Sequence, residues 1–436
     1  MTWRTRPLWP TQLTWSTQLI RSIWPAWAAW LMALVAAVAQ FVVTRRHHNL
    51  GMDLRPMYLS GGAILHGRPI YDVPGFVYPP PAALIGVVLQ PLPFTVWANV
   101  YLAVELAVLA VLAAVTVGWL VPSRWKAPAG GVAATLLIWA HPSMHGLWLG
   151  NISVAIAGVG LGVVVAFARG RWTLGCLLLG LSLLVKPLLL PLVLIPLLVR
   201  RVRPLAVAGA VSAVVLVASC LVTAGLARLP QVLAKVAHGS VLVGRLAANN
   251  LSLNGFATVH HVPRPALVLA QVAVVGAAVA VAVVVLRARP PGGAAALACL
   301  SSVLVLVLLL AGSLSEVHYV FAALPGGFAA LALRRSNWVR AAVAVGAMAT
   351  FVPLRHVAPV GHQTLLVVSE LAFFIAGVLA FLLPPTAEDA APLPLGSPGR
   401  QRSGQPPAVD AAGTETATTA SPSTPSSRTG TSVQER

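Results

Sequence analysis

The sequence predicts an all-α polytopic membrane protein with about twelve transmembrane helices and a folded first loop outside the bilayer. Three observations carry this prediction. The 436-residue chain is 58% hydrophobic and only 9% charged, with a mean hydropathy of +0.85. Soluble domains carry roughly 25% charged residues, so this chain lacks the polar surface to face water. Apolar runs of about 20 residues recur, each long enough to cross a hydrocarbon core of roughly 30 Å as a helix. Arginine clusters fall on alternate connectors between those runs. Backbone groups in lipid need internal partners, which leaves helices or a closed barrel. Barrel strands would alternate over short segments, and these runs are continuous.

The first run, 24–43, follows Arg4, Arg6 and Arg21. Its "AVA" at Ala37 to Ala39 resembles a peptidase site, but the run exceeds the roughly 7–15 residues of a signal peptide. It is therefore expected to remain as a span. Residues 45–95 form a polar connector with proline and glycine stops around a helical middle, so they are expected to fold. Later spans are expected at 96–120, 128–142, 152–168, 173–185, 188–199, 205–226, 265–286, 293–312, 318–333, 338–354 and 364–383. Segments 173–185 and 188–199 are short and read as a hairpin folded at Lys186-Pro187, because proline lacks the backbone donor a helix needs. Residues 385–436 are rich in Pro, Ser, Thr, Gly and Ala and read as a disordered cytoplasmic tail, leaving 1–384 as the membrane domain.

Basic residues set orientation. The N-terminus, Arg124 with Lys126, Arg169 with Arg171, Arg200/Arg201/Arg203, Arg287 with Arg289, and Arg334/Arg335/Arg340 share one side, which the positive-inside rule makes cytoplasmic. Arg45 and Arg46 depart from that pattern. The opposite side collects 45–95, 143–151, the Lys186 apex, 227–264, 313–317 and 355–363. All eleven histidines lie in or beside these segments, as do Asp53, Asp72 and Glu316. Titratable chemistry therefore gathers on the outer face.

The net charge of +19 does not indicate a nucleic-acid partner, because it is dispersed over short connectors. Cys176, Cys220 and Cys299 all sit in apolar runs without disulfide or metal-ligand spacing. No internal repeat is evident, which weakens a transporter or flippase reading. A scaffold would not need a lysine at a hairpin apex.

Asp53 follows the first span by about ten residues, where a carboxylate can act as a general base. Arg55, "HGRPIYD" with Asp72, and "YPPP" from Tyr78 accompany it. The plainer alternative is a surface ion pair with Arg55 or Arg46, which contributes little. Lys186 between two apolar half-helices suits a phosphate at the lipid–water boundary, intramembrane charges being costly; snorkelling to the interface is the alternative. "AANNLSLNGF" groups Asn249, Asn250 and Asn254, whose amides suit hydroxyl-rich ligands; "NLS" there also matches a glycosylation acceptor. "SLSEVHY" puts Glu316 and His318 at the outer end of a span. "HPSMHGLWLGN" adds His145, Trp148 and Asn151. Loop chemistry and interfacial anchoring would account for these as well. Glu105 and Glu370 fall inside apolar spans, where pairing within the bundle is expected.

Together, "MDLRPMY", "HGRPIYD", "VYPPPAAL", "GLSLLVKPLLLPLVLIPLL" and "NNLSLNG" resemble glycosyltransferase family 87, of the C superfamily of integral-membrane glycosyltransferases. The likeness covers about residues 45–320 and is greatest to the family's arabinofuranosyltransferase branch. Where such relatives tend to carry a second acid before the loop aspartate, this chain has Met52, leaving Asp53 as the single candidate base. The resemblance implies a plasma-membrane enzyme with an extracytoplasmic site and a polyprenyl-phosphate sugar donor. It implies an arabinan or lipoglycan acceptor and an inverting mechanism. Asp53 would be the base, with Lys186, Arg55 and His318 on the donor phosphate. Asp72, Tyr78, Asn250, Asn254 and Glu316 would contact sugar or acceptor. Polyprenyl-phosphomannose is an alternative donor. No cofactor is implied, and neither an Asp-x-Asp metal motif nor a nucleotide-binding Gly-rich loop is present.

Overall fold

A computed structural model describes residues 11–48, 50–223, 230, 250–287, 293–312, 315–351 and 359–385. The expected tail, Asn249, His238 and His356 lie outside them. The described elements are helical. Helix α1 (Thr11–Thr44) is followed by α2 (Leu54–Leu65), a 3-10 turn (Ile70–Asp72), α3 (Pro80–Leu89), α4 (Phe94–Leu120) and α5 (Ser123–Trp139). Then come α6 (His141–Leu149), α7 (Ser153–Ala168), α8 (Trp172–Leu183), a 3-10 segment (Pro187–Val193), α9 (Leu194–Leu198) and α10 (Val202–Thr223). After residue 250 come α11 (Leu253–Val259), α12 (Arg264–Arg287), α13 (Ala294–Ala311), a 3-10 segment (Val317–Ala322), α14 (Leu324–Leu333), α15 (Asn337–Phe351) and α16 (Pro359–Leu382).

Among the described residues six helical stretches are long and apolar enough to cross a membrane: residues 24–44, 94–120, 202–223, 264–287, 294–311 and 361–382. They become seven if α6 and α7, bent by 114° at their junction, count as one. Shorter apolar helices stand at 80–89, 172–183, 187–198 and 317–333. The outer surfaces of α10 and α12 show why the chain belongs in lipid. Leu221 is 71% and Leu269 70% exposed, and their exposed neighbours are mostly valines. Water-facing helices do not present such faces.

The core centres on α13, whose span is 72% buried. It packs against α14, α16 and the 3-10 segment after Lys186. Small residues permit close helix approach, as in other membrane bundles. A Cβ on Gly326 would lie 1.9 Å from the Ala298 carbonyl oxygen. The Phe373 ring fills the space that side chains at Gly327 and Gly346 would occupy.

Residues 45–95 fold into a helical pair. Helices α2 and α3 cross backbone to backbone at Gly61 and Gly86: a Cβ at Gly61 would sit 2.0 Å from the Gly86 carbonyl carbon, and one at Gly86 would sit 1.9 Å from the Met57 carbonyl oxygen. Leu54, Met57, Ile70, Phe76, Ala82 and Ala83 close a small apolar core over this crossing. Ile152 and Val185 join that core from the bundle, so the loop is seated on the start of α7 and the end of α8. Pro80 opens α3 at a position where the missing N–H costs nothing.

This crossing has a direct test. Gly86→Val forces overpacking that typically costs about 1–3 kcal/mol, so thermal melting of the detergent-solubilised protein should fall by several degrees. Gly118→Ala, with nothing within 4 Å of its Cβ position, should leave melting unchanged.

Candidate active site

The site is assembled by a break in a helix. Helix α6 ends on Gly150, which takes a left-handed conformation (φ +63°). The Asn151 amide returns to the Gly146 carbonyl at 3.2 Å and that of Gly150 to Leu147 at 3.3 Å, closing the helix end. Glycine is required here for a second reason: a Cβ on Gly150 would lie 2.9 Å from Gly51 Cα. Gly51 is itself left-handed (φ +74°). The two turns touch through backbone. Gly51 and Asp53 donate their amides to the Trp148 and Leu149 carbonyls at 2.9 and 2.8 Å. Asp53 is thereby anchored at the N-cap of α2 and beside Asn151.

Asn151 is buried and engaged at both ends of its carboxamide. Its Nδ2 donates to Asp53 Oδ2. Its Oδ1 accepts from Lys186 Nζ at 3.0 Å, Ser153 Oγ at 2.7 Å and the Ser153 backbone amide at 3.0 Å. Lys186 also donates to Ser153 Oγ at 2.7 Å and lies over the Tyr319 ring, 4.2 Å from its centroid. Lys186 occupies the expected break: α8 ends at Leu183, Lys186 is extended (φ −150°, ψ 122°), and Pro187 starts the 3-10 segment. That segment packs back on α8, as a hairpin would.

Glu316 approaches from the other half of the chain. Its Oε2 lies 3.0 Å from Nε2 of the buried His318. Burial favours the neutral form of Asp53 and raises its pKa; the Asn151 bond, His318 and Lys186 oppose this, while Glu316 adds to it. Burial lowers Lys186 to about 8 against the pull of Glu316 and Asp53. For Glu316, burial would raise the pKa, but the His318 contact and the charge of Lys186 outweigh it and bring it to about 2. The Tyr78 hydroxyl is raised above its usual range by burial and by the charges of Asp53 and Glu316. Asp53, Lys186, Tyr78, Glu316 and His318, five of the nine expected site residues, therefore share one electrostatic environment.

The other four stand elsewhere. Arg55 and Asp72 are exposed on the same loop. Asn250 is fully buried and holds backbone: its Oδ1 accepts from the Ser252 and Ser315 amides at 3.1 and 2.9 Å. Leu251 bonds Ser315 at 2.7 Å, and Asn254 Nδ2 donates to the Gly312 carbonyl at 2.7 Å. Gln363 Nε2 donates to the Asn250 carbonyl at 2.6 Å. This clasp fixes the approach to Glu316. Ser153 and Tyr319 belong to the site and carry no motif by which sequence would single them out; Asn151 was visible only as one polar residue in a histidine-rich turn. Two histidines near the site pair with each other, His141 with His362 at 3.1 Å. Among the described residues no three His, Cys, Asp or Glu side chains converge as a metal site requires.

Beside this cluster lies an apolar cavity of about 410 Å³ between the loop, α4, α7 and α8. Leu54, Ile152 and Val185, chain neighbours of Asp53, Asn151 and Lys186, line it. The Ser182 hydroxyl in its wall is turned to the Leu179 carbonyl at 2.7 Å.

The model of glycosyltransferase family 87 matches residues 76–313, which include Asn151, Ser153 and Lys186 but not Asp53 or Glu316. Two curated relatives are the alpha-(1->3)-arabinofuranosyltransferases of Mycobacterium tuberculosis strains CDC 1551 / Oshkosh and ATCC 25618 / H37Rv. Each is 29% identical over 217 residues, covering 47% of this chain and 48% of the relative. The chain spans about half the length of the curated relatives it matches. No solved structure matches it. With the family model covering more than half of this multi-pass membrane chain, the protein belongs to glycosyltransferase family 87.

Proposed function

We propose that this chain is an inverting arabinofuranosyltransferase that moves arabinofuranose from a polyprenyl phosphate onto a cell-wall arabinan at the outer face of the plasma membrane. The observation that carries the reading is the placement of Asp53 and Lys186 at opposite ends of one carboxamide, beside an apolar cavity. A lipid-linked sugar phosphate needs those three features: a cation for the phosphate, an apolar bed for the chain, and a base within a sugar's width of both.

In the proposed step the acceptor hydroxyl gives its proton to Asp53 as its oxygen attacks the anomeric carbon. The bond from that carbon to the phosphate oxygen breaks, and a β-linked donor becomes an α-linked product. Polyprenyl phosphate departs with the bonding pair. Lys186 stabilises the charge that develops on it, and a fixed cation in a poorly hydrated site does so without reorganising. Tyr319 shields the ammonium on its other side. Glu316 and Tyr78 face the sugar, while buried His318 acts through its contact with Glu316. Arg55 and Asp72, on the exposed rim of the loop, meet the phosphate or acceptor from the water side. Asn250 and Asn254 act by setting the position of Glu316. The first isoprene units of the donor lie in the 410 Å³ cavity.

Asp53→Asn should lower transfer from polyprenyl-phospho-arabinose to a synthetic arabinan by at least about a hundredfold, the scale of general-base catalysis. Insertion and melting should be unchanged. Near-normal turnover in that variant would exclude Asp53 as the base. Running polyprenyl-phosphomannose in parallel identifies the donor sugar, with arabinose expected to be used and mannose refused.

Lys186 binds phosphate only as the cation, and so below its pKa of about 8. Donor kcat/KM should therefore decline above about pH 8. Lys186→Arg, which stays charged at all these pH values, should be slower yet keep a flat alkaline side. A wild-type alkaline limb in the arginine variant would assign that limb to another group.

Filling the cavity tests the lipid bed. Ala155→Trp should raise the donor KM several-fold and leave the KM of the arabinan acceptor alone. An equal rise in both would point to a general distortion instead.

A further inference from the structure

The geometry assigns Asn151 a role as a positioning residue: we propose that its neutral carboxamide acts as a spacer that keeps the carboxylate of Asp53 and the ammonium of Lys186 from closing into a direct ion pair. This rests on the proposed base role of Asp53.

The orientation of the carboxamide is forced. The Ser153 backbone amide and the Lys186 ammonium can only donate, and both point at the same atom of Asn151, 3.0 Å away in each case. That atom must be the oxygen. The NH₂ group therefore faces Asp53 and donates to Oδ2. With Ser153 Oγ as a third donor at 2.7 Å, the amide cannot swivel without losing several bonds in a buried site. One oxygen of Asp53 is thus committed to the protein, and Oδ1 is offered to a substrate proton.

A spacer matters because direct contact would disable both groups. An opposite charge within about 4–6 Å lowers a carboxylate pKa by roughly 1–3 units, which weakens it as a base. The same contact would neutralise the cation before a phosphate arrived. The remaining groups around Asp53 do not supply that separation. Tyr78 comes from the turn before α3, Tyr101 and Glu105 from α4, and Glu316 and His318 from the segment before α14. Asn151 alone among these touches both Asp53 and Lys186.

The test is the pH dependence of kcat/KM in the full-length, detergent-solubilised protein, using polyprenyl-phospho-arabinose and an arabinan acceptor. Asn151→Leu removes the spacer and lets Lys186 close on Asp53; a direct ion pair outweighs the loss of the Asn151 bond, which by itself would raise the carboxyl's pKa. Its acid limb should move to lower pH by about one unit, with kcat down at least tenfold and donor KM raised. Asn151→Asp places a second carboxylate beside Asp53, and its acid limb should move to higher pH. Opposite displacements support the spacer. An unmoved acid limb in both variants, or an upward shift in Asn151→Leu, overturns it, because a residue that only held the fold would lower the amount of active protein without moving the limb. Should Asn151→Leu fail to fold, Asn151→Ser serves, since its hydroxyl is too short to bridge the two groups and the same downward shift is expected. Asp53→Asn separates this idea from the reading beneath it. If that variant remains active the base assignment fails; if it is inactive, the Asn151 profiles bear on the spacer alone.

Discussion

The contact between Gly51 and Gly150 is the constraint on which the rest of this molecule depends. Two left-handed turns touch through their backbones, with no room for a Cβ on Gly150. One turn opens the first loop and the other ends α6. Their contact lets the loop backbone bond to the last carbonyls of α6, which a helix end would otherwise leave unsatisfied in an apolar setting. Three of the site's polar residues are placed directly by this junction: Asp53 two residues beyond one glycine, Asn151 one beyond the other, Ser153 at the head of α7. The apolar core of the loop then seals the arrangement from the side by gripping Ile152 and Val185.

Electrostatically the site is a compromise between dehydration and pairing. Each charge costs free energy to remove from water, and the chain offsets this with few groups. Asp53, Lys186 and Glu316 lie close enough to shift one another's protonation. Each also has a neutral or polarizable companion: Asn151 for Asp53, the Tyr319 ring for Lys186, His318 for Glu316. Such an environment stabilises Asp53 and Lys186 without closing the two on each other.

Much of this was legible in the sequence, and the limits have physical causes. The all-helical membrane class followed from composition, because lipid leaves few alternatives for the backbone. Lys186 stood out because a lysine between apolar half-helices demands a reason, and the break at Lys186-Pro187 is where proline chemistry placed it. Asp53 was conspicuous because carboxylates are so scarce here. Asn151 and Ser153 were not, since a polar residue after a helix-ending glycine is ordinary turn chemistry. Only the approach of a residue nearly a hundred positions away gives Asn151 its role. The asparagines of "NNLSLNG" carried the opposite signal. Their amides suggested a hydroxyl-rich ligand, and the structure shows Asn250 and Asn254 bonded to backbone. Chemistry alone cannot distinguish the two uses of an amide. The apolar spans were likewise easier to detect than to count, because several apolar helices are shorter than a bilayer crossing requires and α6 meets α7 at a sharp bend.

The clasp of Asn250 on Ser315, and of Gln363 on Asn250, has a consequence for how the protein is made. Chains are synthesised from the N-terminus and earlier segments settle first. Asp53 emerges early, but the helix end that receives it lies at residues 148–151, its cation at 186, and Glu316 later still. The clasp that fixes Glu316 closes only when Gln363, in the last described helix, has been delivered. A nascent chain therefore carries Asp53 long before its partners surround it. A copy halted before α16 is inserted holds Asp53, Asn151 and Lys186 without the contact that fixes the segment carrying Glu316.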